Sequence, residues 1–83
     1  MKHFTFQTVG VCSQELAFDL DGQNRVHNVR FLGGCPGNLL AIGKLVEGME
    51  AAHVAKLLKG NDCGGKGTSC ADQLARALTQ ALG

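Results

Sequence analysis

Residues 16–22 read Leu-Ala-Phe-Asp-Leu-Asp-Gly, and this segment carries the clearest structural signal in the chain. The large apolar side chains at positions 16, 18 and 20 alternate with a small and an acidic residue, which is the period of a strand with one buried face. The Asp-Gly pair that follows is a hairpin turn signal. The segment therefore predicts an antiparallel strand and the turn that leads into its partner.

Strands are also predicted on both sides of this segment. Apolar residues nearly alternate from Phe4 to Val11, with a slip of phase in the second half that a bulge or a bend would produce. Beyond the turn, His27, Val29 and Phe31 are expected to share one face of a third strand. The first half of the chain is therefore predicted to be a three-stranded antiparallel meander.

The second half of the chain changes to the spacing of amphipathic helices. Apolar residues recur three and four positions apart in three segments, namely Leu39, Ile42, Val46 and Met49, then Ala51, Val54, Leu57 and Leu58, and finally Leu74, Ala77, Leu78 and Ala81. Gly48 and Gly60 are suited to end the first two helices. Strands followed by helices favour an α+β fold in the order βββααα, with the helices on one face of the sheet. Residues 1–83 are expected to form a single domain.

The third helix has the best-marked start. Ser69-Cys70-Ala71-Asp72 is a capping box, in which the Ser69 hydroxyl accepts from a first-turn amide and Asp72 reaches back toward the cap.

Composition narrows the class of protein. A chain with 45% hydrophobic and 18% charged residues has enough apolar surface to fold. The net charge is +1 and the lysines and arginines are scattered, so nucleic-acid binding is not expected. The chain lacks the apolar run of a signal peptide or a membrane span of roughly 20 residues. A cytoplasmic protein is expected, and four cysteines there indicate metal binding or redox chemistry rather than structural disulfides.

The four cysteines, Cys12, Cys35, Cys63 and Cys70, all fall on predicted turns or helix starts. Cys35 and Cys70 lie at or near helix N-termini, where unpaired amides favour the thiolate that binds metals. A meander brings the first turn and the end of the third strand to one edge, so Cys12 and Cys35 are expected to converge there. We predict a four-cysteine metal site, with zinc as the preferred ion and an iron-sulfur cluster as the alternative.

Other candidate ligands have simpler explanations. His3, His27 and His53 lie within strand or helix patterns, and Asp62 is a typical turn residue. Residues 60–66 nearly spell a phosphate-binding P-loop, but Gly67 stands where serine or threonine is needed, and a helix rather than a strand precedes the loop. Buried cysteines without a ligand are the structural alternative to the whole site.

At Thr68-Ser69-Cys70-Ala71-Asp72 the chain resembles the TSCPD-domain family, with Ala71 where the family has proline. The segment Gly34-Cys35-Pro36-Gly37-Asn38 and Cys63 resemble its small four-cysteine members. Related domains lie at the C-terminal end of cobalamin-dependent ribonucleotide reductases. The resemblance implies metal binding or a thiol role. It also implies a protein partner, for which such a reductase is one candidate.

The layout is also similar to that of the U-type iron-sulfur scaffold proteins, whose three cysteines correspond to Cys12, Cys35 and Cys70. Those scaffolds carry an aspartate soon after the first cysteine and a histidine before the last, whereas this chain has Ser13-Gln14 and Ser69 there. This departure argues against transient cluster assembly and leaves stable metal binding as the expectation.

Three functional hypotheses follow. The first is a module that holds zinc or an iron-sulfur centre; the second is a thiol-redox or accessory module related to ribonucleotide reductase, in which Cys63 and Cys70 shuttle between dithiol and disulfide. The third is a metal-free interaction domain. A chain of 83 residues is too short for the catalytic barrel of a reductase, so enzymatic activity of the isolated chain is not expected.

Overall fold

The computed structural model describes residues 1–11, 13–33, 36–62, 64–65 and 67–83, without the side chains of Ser13 and Pro36. Three strands precede three helices: β1 (Lys2–Gln7), β2 (Ser13–Leu20), β3 (Val26–Gly33), α1 (Pro36–Val46), α2 (Ala51–Leu58) and α3 (Cys70–Leu82). The strands pair antiparallel in the order β1-β2-β3. The predicted α+β arrangement is confirmed. Within the described ranges, no helix has the length and apolar character needed to span a bilayer.

The core lies between the predicted apolar face of β2 and α3. Leu16, Phe18 and Leu20 are at most 4% exposed, and Leu74 and Leu78 of α3 are fully buried. Each such side chain contributes about 1.5–3 kcal/mol by leaving water. The alternation read from residues 16–20 therefore identifies the central strand correctly.

β1 is shorter than predicted. It ends at Gln7, and Val9 lies beyond it with 74% of its surface exposed. The amide of Thr8 still donates to the carbonyl of Gln14 at 3.3 Å, which starts the return into β2. The slip of phase in this segment therefore marks the end of the strand rather than a bulge inside it.

A bulge does occur in β3. The pairs Ala17–Arg30 and Asp19–His27 leave two residues of β3 opposite one of β2, and Asn28 takes a φ of +56° there. The extra residue reverses the alternation, so Val29 lies on the core face with Phe18, whereas His27 shares the open face with its partner Asp19. The prediction that His27 and Val29 share one face is wrong for this reason.

α1 ends at Val46, three residues before the predicted apolar face ends. Gly48, with a φ of +78°, donates its amide to the carbonyl of Val26 at 2.7 Å, and the carbonyl of Met49 accepts from the Val26 amide at 2.8 Å. The connection between α1 and α2 thus adds two hydrogen bonds to the start of β3. Met49 packs against the core from this connection and not from the helix.

Leu57 does not lie on a buried face as predicted. It is 60% exposed, and Leu45 of α1 is 76% exposed. Both line an apolar groove of about 210 Å³ between α1 and α2, whose other lining residues are Ile42, Val46, Met49, Val54 and Leu58. α2 has only 8 residues, and its buried residues are Ala51, Val54 and Ala55, so Leu57 lies off its buried face.

Candidate functional site at the start of α3

The first turn of α3 is capped as predicted. Ser69 has an extended backbone, with φ −154° and ψ 172°, and its Oγ accepts a hydrogen bond from the Asp72 amide at 3.0 Å. Asn61 Nδ2 also donates to this oxygen, at 3.2 Å. Ser69 therefore stabilises the helix start and also holds the loop that follows α2.

Asp72 does not reach back to the cap residue as a capping box requires. Its Oδ1 accepts from the Gly60 amide at 2.7 Å, and its Oδ2 accepts from Thr68 Oγ1 at 2.6 Å and from Arg76 Nε at 2.9 Å. The residue is 1% exposed. The hydrogen bond from Thr68 is the main cause of the lowered pKa of Asp72, followed by the Gly60 amide, with Arg76 adding a smaller part. The carboxylate is thus the common acceptor of two segments.

Gln73 extends the same network to the sheet. Its Oε1 accepts from the Val9 amide at 3.2 Å, and its Nε2 donates to Thr68 Oγ1 at 3.0 Å. Gln73 is 3% exposed and Thr68 is 8% exposed. Within the described part of the chain, every buried side-chain nitrogen or oxygen has a hydrogen-bond partner. The buried polar groups of this network are therefore all hydrogen-bonded, and none leaves an uncompensated desolvation penalty.

Of the four predicted ligands, only Cys70 lies within the described residues. It is the first residue of α3 and is 8% exposed. Cys12, Cys35 and Cys63 lie outside the described residues, so their predicted convergence stays a prediction. Among the residues that the structure does describe, no group of three or more His, Cys, Asp or Glu side chains is arranged to hold a metal ion.

Two of the three histidines are hydrogen-bonded to carboxylates. His27 Nε2 lies 2.8 Å from Asp21 Oδ2, and its Nδ1 lies 2.5 Å from Glu47 Oε2. Asp21 and Glu47 together raise the pKa of His27, with Asp21 the larger cause. His3 Nδ1 lies 2.7 Å from Asp19 Oδ1. These contacts agree with the interpretation of both histidines as structural side chains.

In the loop that resembles a P-loop, the side chain of Asp62 accepts hydrogen bonds from backbone amides of the same loop. Asp62 Oδ2 accepts from the Gly65 amide at 3.0 Å, and Oδ1 accepts from the Gly67 amide. These are the amides that a bound phosphate would need, and the loop follows α2 rather than a strand. Asp62 is therefore a turn former, as predicted.

The sequence reading missed Thr68 and Gln73 as members of this site. Gln73 lies one helical turn before Ala77, on the apolar face of α3. A polar residue on such a face is the available signal, because a buried amide needs partners on neighbouring segments.

The model of the TSCPD domain matches residues 2–82. Neither the curated proteins nor the solved structures contain a significant match to this chain.

Proposed function

The chain belongs to the TSCPD-domain family, and from that premise we propose that it is a small metal-binding module. Cys12, Cys35, Cys63 and Cys70 are the proposed ligands of one centre, with zinc preferred over an iron-sulfur cluster. Four thiolates suit the tetrahedral coordination of a closed zinc site. Such a centre leaves no open position for a substrate, so its role is to hold loops in a shape that a partner recognises.

The observation that carries the proposal is the polar network at the start of α3. Val9 donates to Gln73, and Gly60 donates to Asp72. Val9 lies three residues before Cys12, and Gly60 lies three residues before Cys63. Two of the cysteine-bearing segments are thus hydrogen-bonded to the helix turn that begins with Cys70.

The fourth segment is connected through the sheet. Ser13, which follows Cys12, is paired with Gly33, which lies two residues before Cys35. Gln14, next to Ser13, accepts from Thr8 at the end of β1. The described neighbours of all four cysteines are therefore linked by pairing or hydrogen bonds, which supports a common site.

Elemental analysis tests the proposal directly. The protein is purified under anaerobic conditions without a metal-affinity tag, and its metal content is compared with its visible spectrum. We expect about one zinc per chain and no visible absorption, as four-thiolate zinc sites give. Iron with inorganic sulfide and a visible band would assign the cluster instead.

Variants identify the ligands. Cys12→Ser and Cys63→Ser should each lose the metal, whereas His53→Gln, which changes an exposed side chain, should retain it. A reduced protein that stays metal-free after growth in excess zinc would overturn the proposal. If that protein also forms a reversible disulfide between Cys63 and Cys70, the thiol-redox function would replace it.

A further inference from the structure

Gln73 is a buried polar residue in the apolar interface of α3. It is 3% exposed, and its neighbour Leu74 is fully buried. A buried amide destabilises the fold unless its donors and acceptors are satisfied, and a leucine at this position would avoid that cost. Its partners therefore indicate what the residue is for.

The direction of the hydrogen bonds in this network is fixed. A backbone N–H only donates, so the group of Gln73 that faces Val9 is its oxygen. The Gln73 NH₂ must then donate to Thr68 Oγ1, and the Thr68 hydroxyl proton points to Asp72 Oδ2. These hydrogen bonds form a relay that runs from the Val9 amide through Gln73 and Thr68 to the carboxylate of Asp72, which accepts without donating.

The segment at the start of this relay has little apolar anchorage. Val9 is 74% exposed, and the next residue is Gly10, with a φ of +73°. The backbone nevertheless runs close to the residues that precede α3, since a Cβ at Gly10 would lie 3.7 Å from Thr68 Cγ2. The amide of Val9 is thus one point at which the described part of the β1–β2 connection is tied to the helix start.

We propose that Gln73 is a positioning residue for the metal centre, and this inference rests on the proposed function. By holding the Val9 amide, Gln73 fixes the β1–β2 connection that leads into Cys12 against the helix turn that begins with Cys70. The β1–β2 connection is thereby held at the helix start before the ion arrives. Gln73 acts through the backbone of Val9 and is not itself a ligand.

Gln73→Leu tests this role, because leucine keeps the bulk of the side chain and removes both hydrogen bonds. Gln80→Leu is the matched control, since Gln80 is an exposed residue of the same helix. Gln73→Met, which keeps an unbranched chain, replaces the leucine variant if that protein does not fold. Circular dichroism verifies that each variant keeps its secondary structure.

Three measurements are compared. Amide hydrogen exchange of Val9 should become about fivefold faster in Gln73→Leu, as loss of one hydrogen bond implies. Zinc affinity, measured against a chromophoric chelator, should fall by about tenfold or more, the usual effect of losing a residue that orients a ligand. In a Cys35→Ser, Cys63→Ser background, oxidised glutathione should form the Cys12–Cys70 disulfide more slowly once Gln73 is replaced. Gln80→Leu should change none of these values.

The outcomes separate the two proposals. Unchanged Val9 exchange, or faster exchange with unchanged zinc affinity, would overturn the positioning role while leaving the metal site intact. A parent protein that binds no zinc would overturn the metal site. In that case, an unchanged rate of Cys12–Cys70 disulfide formation in Gln73→Leu would overturn the positioning role as well, and a slower rate would retain it for the thiol pair.

Discussion

The carboxylate of Asp72 accepts a hydrogen bond from the backbone amide of Gly60 at 2.7 Å, which joins the end of α2 to the first turn of α3. The same side chain accepts from Thr68 and Arg76. One buried acid is therefore the acceptor for three donors, of which the Gly60 amide and the Thr68 hydroxyl are uncharged and Arg76 is charged. Its ionised form is stabilised by these contacts.

Asp72→Asn should destabilise the protein by about 2–3 kcal/mol. The asparagine side chain has one acceptor oxygen where the aspartate has two, and its buried NH₂ group would face a hydrogen-bond donor instead of accepting from it. Urea unfolding at pH 7 measures the loss. Glu50→Gln is the control, since Glu50 is exposed and makes no side-chain cap at α2. An unfolding midpoint equal to that of the parent would contradict the assigned network.

The stability of the protein in acid should also depend on the carboxylate of Asp72. The pKa of Asp72 is lowered in the folded protein, so its contribution is fully present above its unfolded pKa of about 3.9 and is lost as pH falls through the folded value. The parent should therefore lose stability below about pH 4 more steeply than Asp72→Asn does. Urea midpoints of both proteins between pH 2 and pH 7 give the comparison, and parallel curves would contradict it.

Ser69→Ala should lower the free energy of unfolding by about 1 kcal/mol, because the Asp72 amide and Asn61 Nδ2 both lose their acceptor. Ser69→Thr retains the hydroxyl and should lose less. Thermal melting of the two variants beside the parent checks the order. Equal melting of all three would mean that α3 does not depend on this cap.

Two glycines of α1 should respond differently to alanine. A Cβ at Gly43 would lie 3.0 Å from the carbonyl oxygen of Val29, so helix and strand must separate, whereas nothing lies within 4 Å of a Cβ at Gly37. Gly43→Ala should cost about 1 kcal/mol net of its better helix propensity, and Gly37→Ala should be neutral or stabilising. Chemical denaturation of the pair measures this difference, and stabilisation by both would show that α1 can move off β3.

His27 should give the domain a pH dependence near neutrality. A neutral imidazole has one N–H and can donate to only one of Asp21 and Glu47, whereas the imidazolium donates to both. Because the pKa of His27 is raised, its stabilisation is fully present below the unfolded pKa of about 6.5 and is lost as pH rises through the folded value. NMR titration of the imidazole should show the raised pKa in the parent and a lower one in Glu47→Gln. The same pKa in both proteins would contradict the contact.

The pKa of Asp21 is lowered to about 2, chiefly by the Arg25 amide and then by His27. Its contribution is fully present above the unfolded pKa of about 3.9 and is lost as pH falls toward the folded value. The pair of Asp21 and His27 is therefore most favourable between about pH 4 and the unfolded His27 pKa of about 6.5.

Period and turn chemistry were enough to predict the order of the six elements. Leu16, Phe18 and Leu20 identify β2 because one face of a central strand must be apolar throughout. The start of α3 was equally clear, since Ser69 caps through a hydrogen bond within its own helix turn. Interactions between residues close in the chain can be predicted from the sequence because both partners belong to the same short segment.

Features that depend on distant contacts were not predictable. The bulge at Asn28 follows from the need to place both Val26 and Val29 on the core face. Asparagine tolerates a positive φ, but a single asparagine within a strand pattern does not fix the position of a bulge. Asp72 was assigned to the cap, but its acceptor role depends on Gly60, which lies 12 residues away. The Gln73–Val9 contact spans 64 positions and required the packing of α3 on the sheet.

Removal of the proposed metal should lower the melting temperature without unfolding the domain. One cluster of buried apolar side chains joins β2, β3 and the helices through Phe18, Val26, Val54 and Leu74, and the buried Cys70 lies outside this cluster. A core of this size supplies about 3–5 kcal/mol, enough to keep the fold. Metal bound at a free concentration about a thousand times its Kd would add about 4 kcal/mol.

The measurement is circular dichroism melting of the reduced protein with and without a strong chelator, beside a Cys12→Ser, Cys35→Ser double variant. The chelated parent should melt cooperatively at a lower temperature, and added zinc should restore the original value. The double variant should melt like the chelated parent and should not respond to zinc, because it lacks two ligands. A chelated parent that is unfolded at 25 °C and folds when zinc is added would show that the ion supplies the folding energy, as it does in zinc fingers. Equal melting temperatures with and without chelator would show that the metal does not contribute to the stability of this fold.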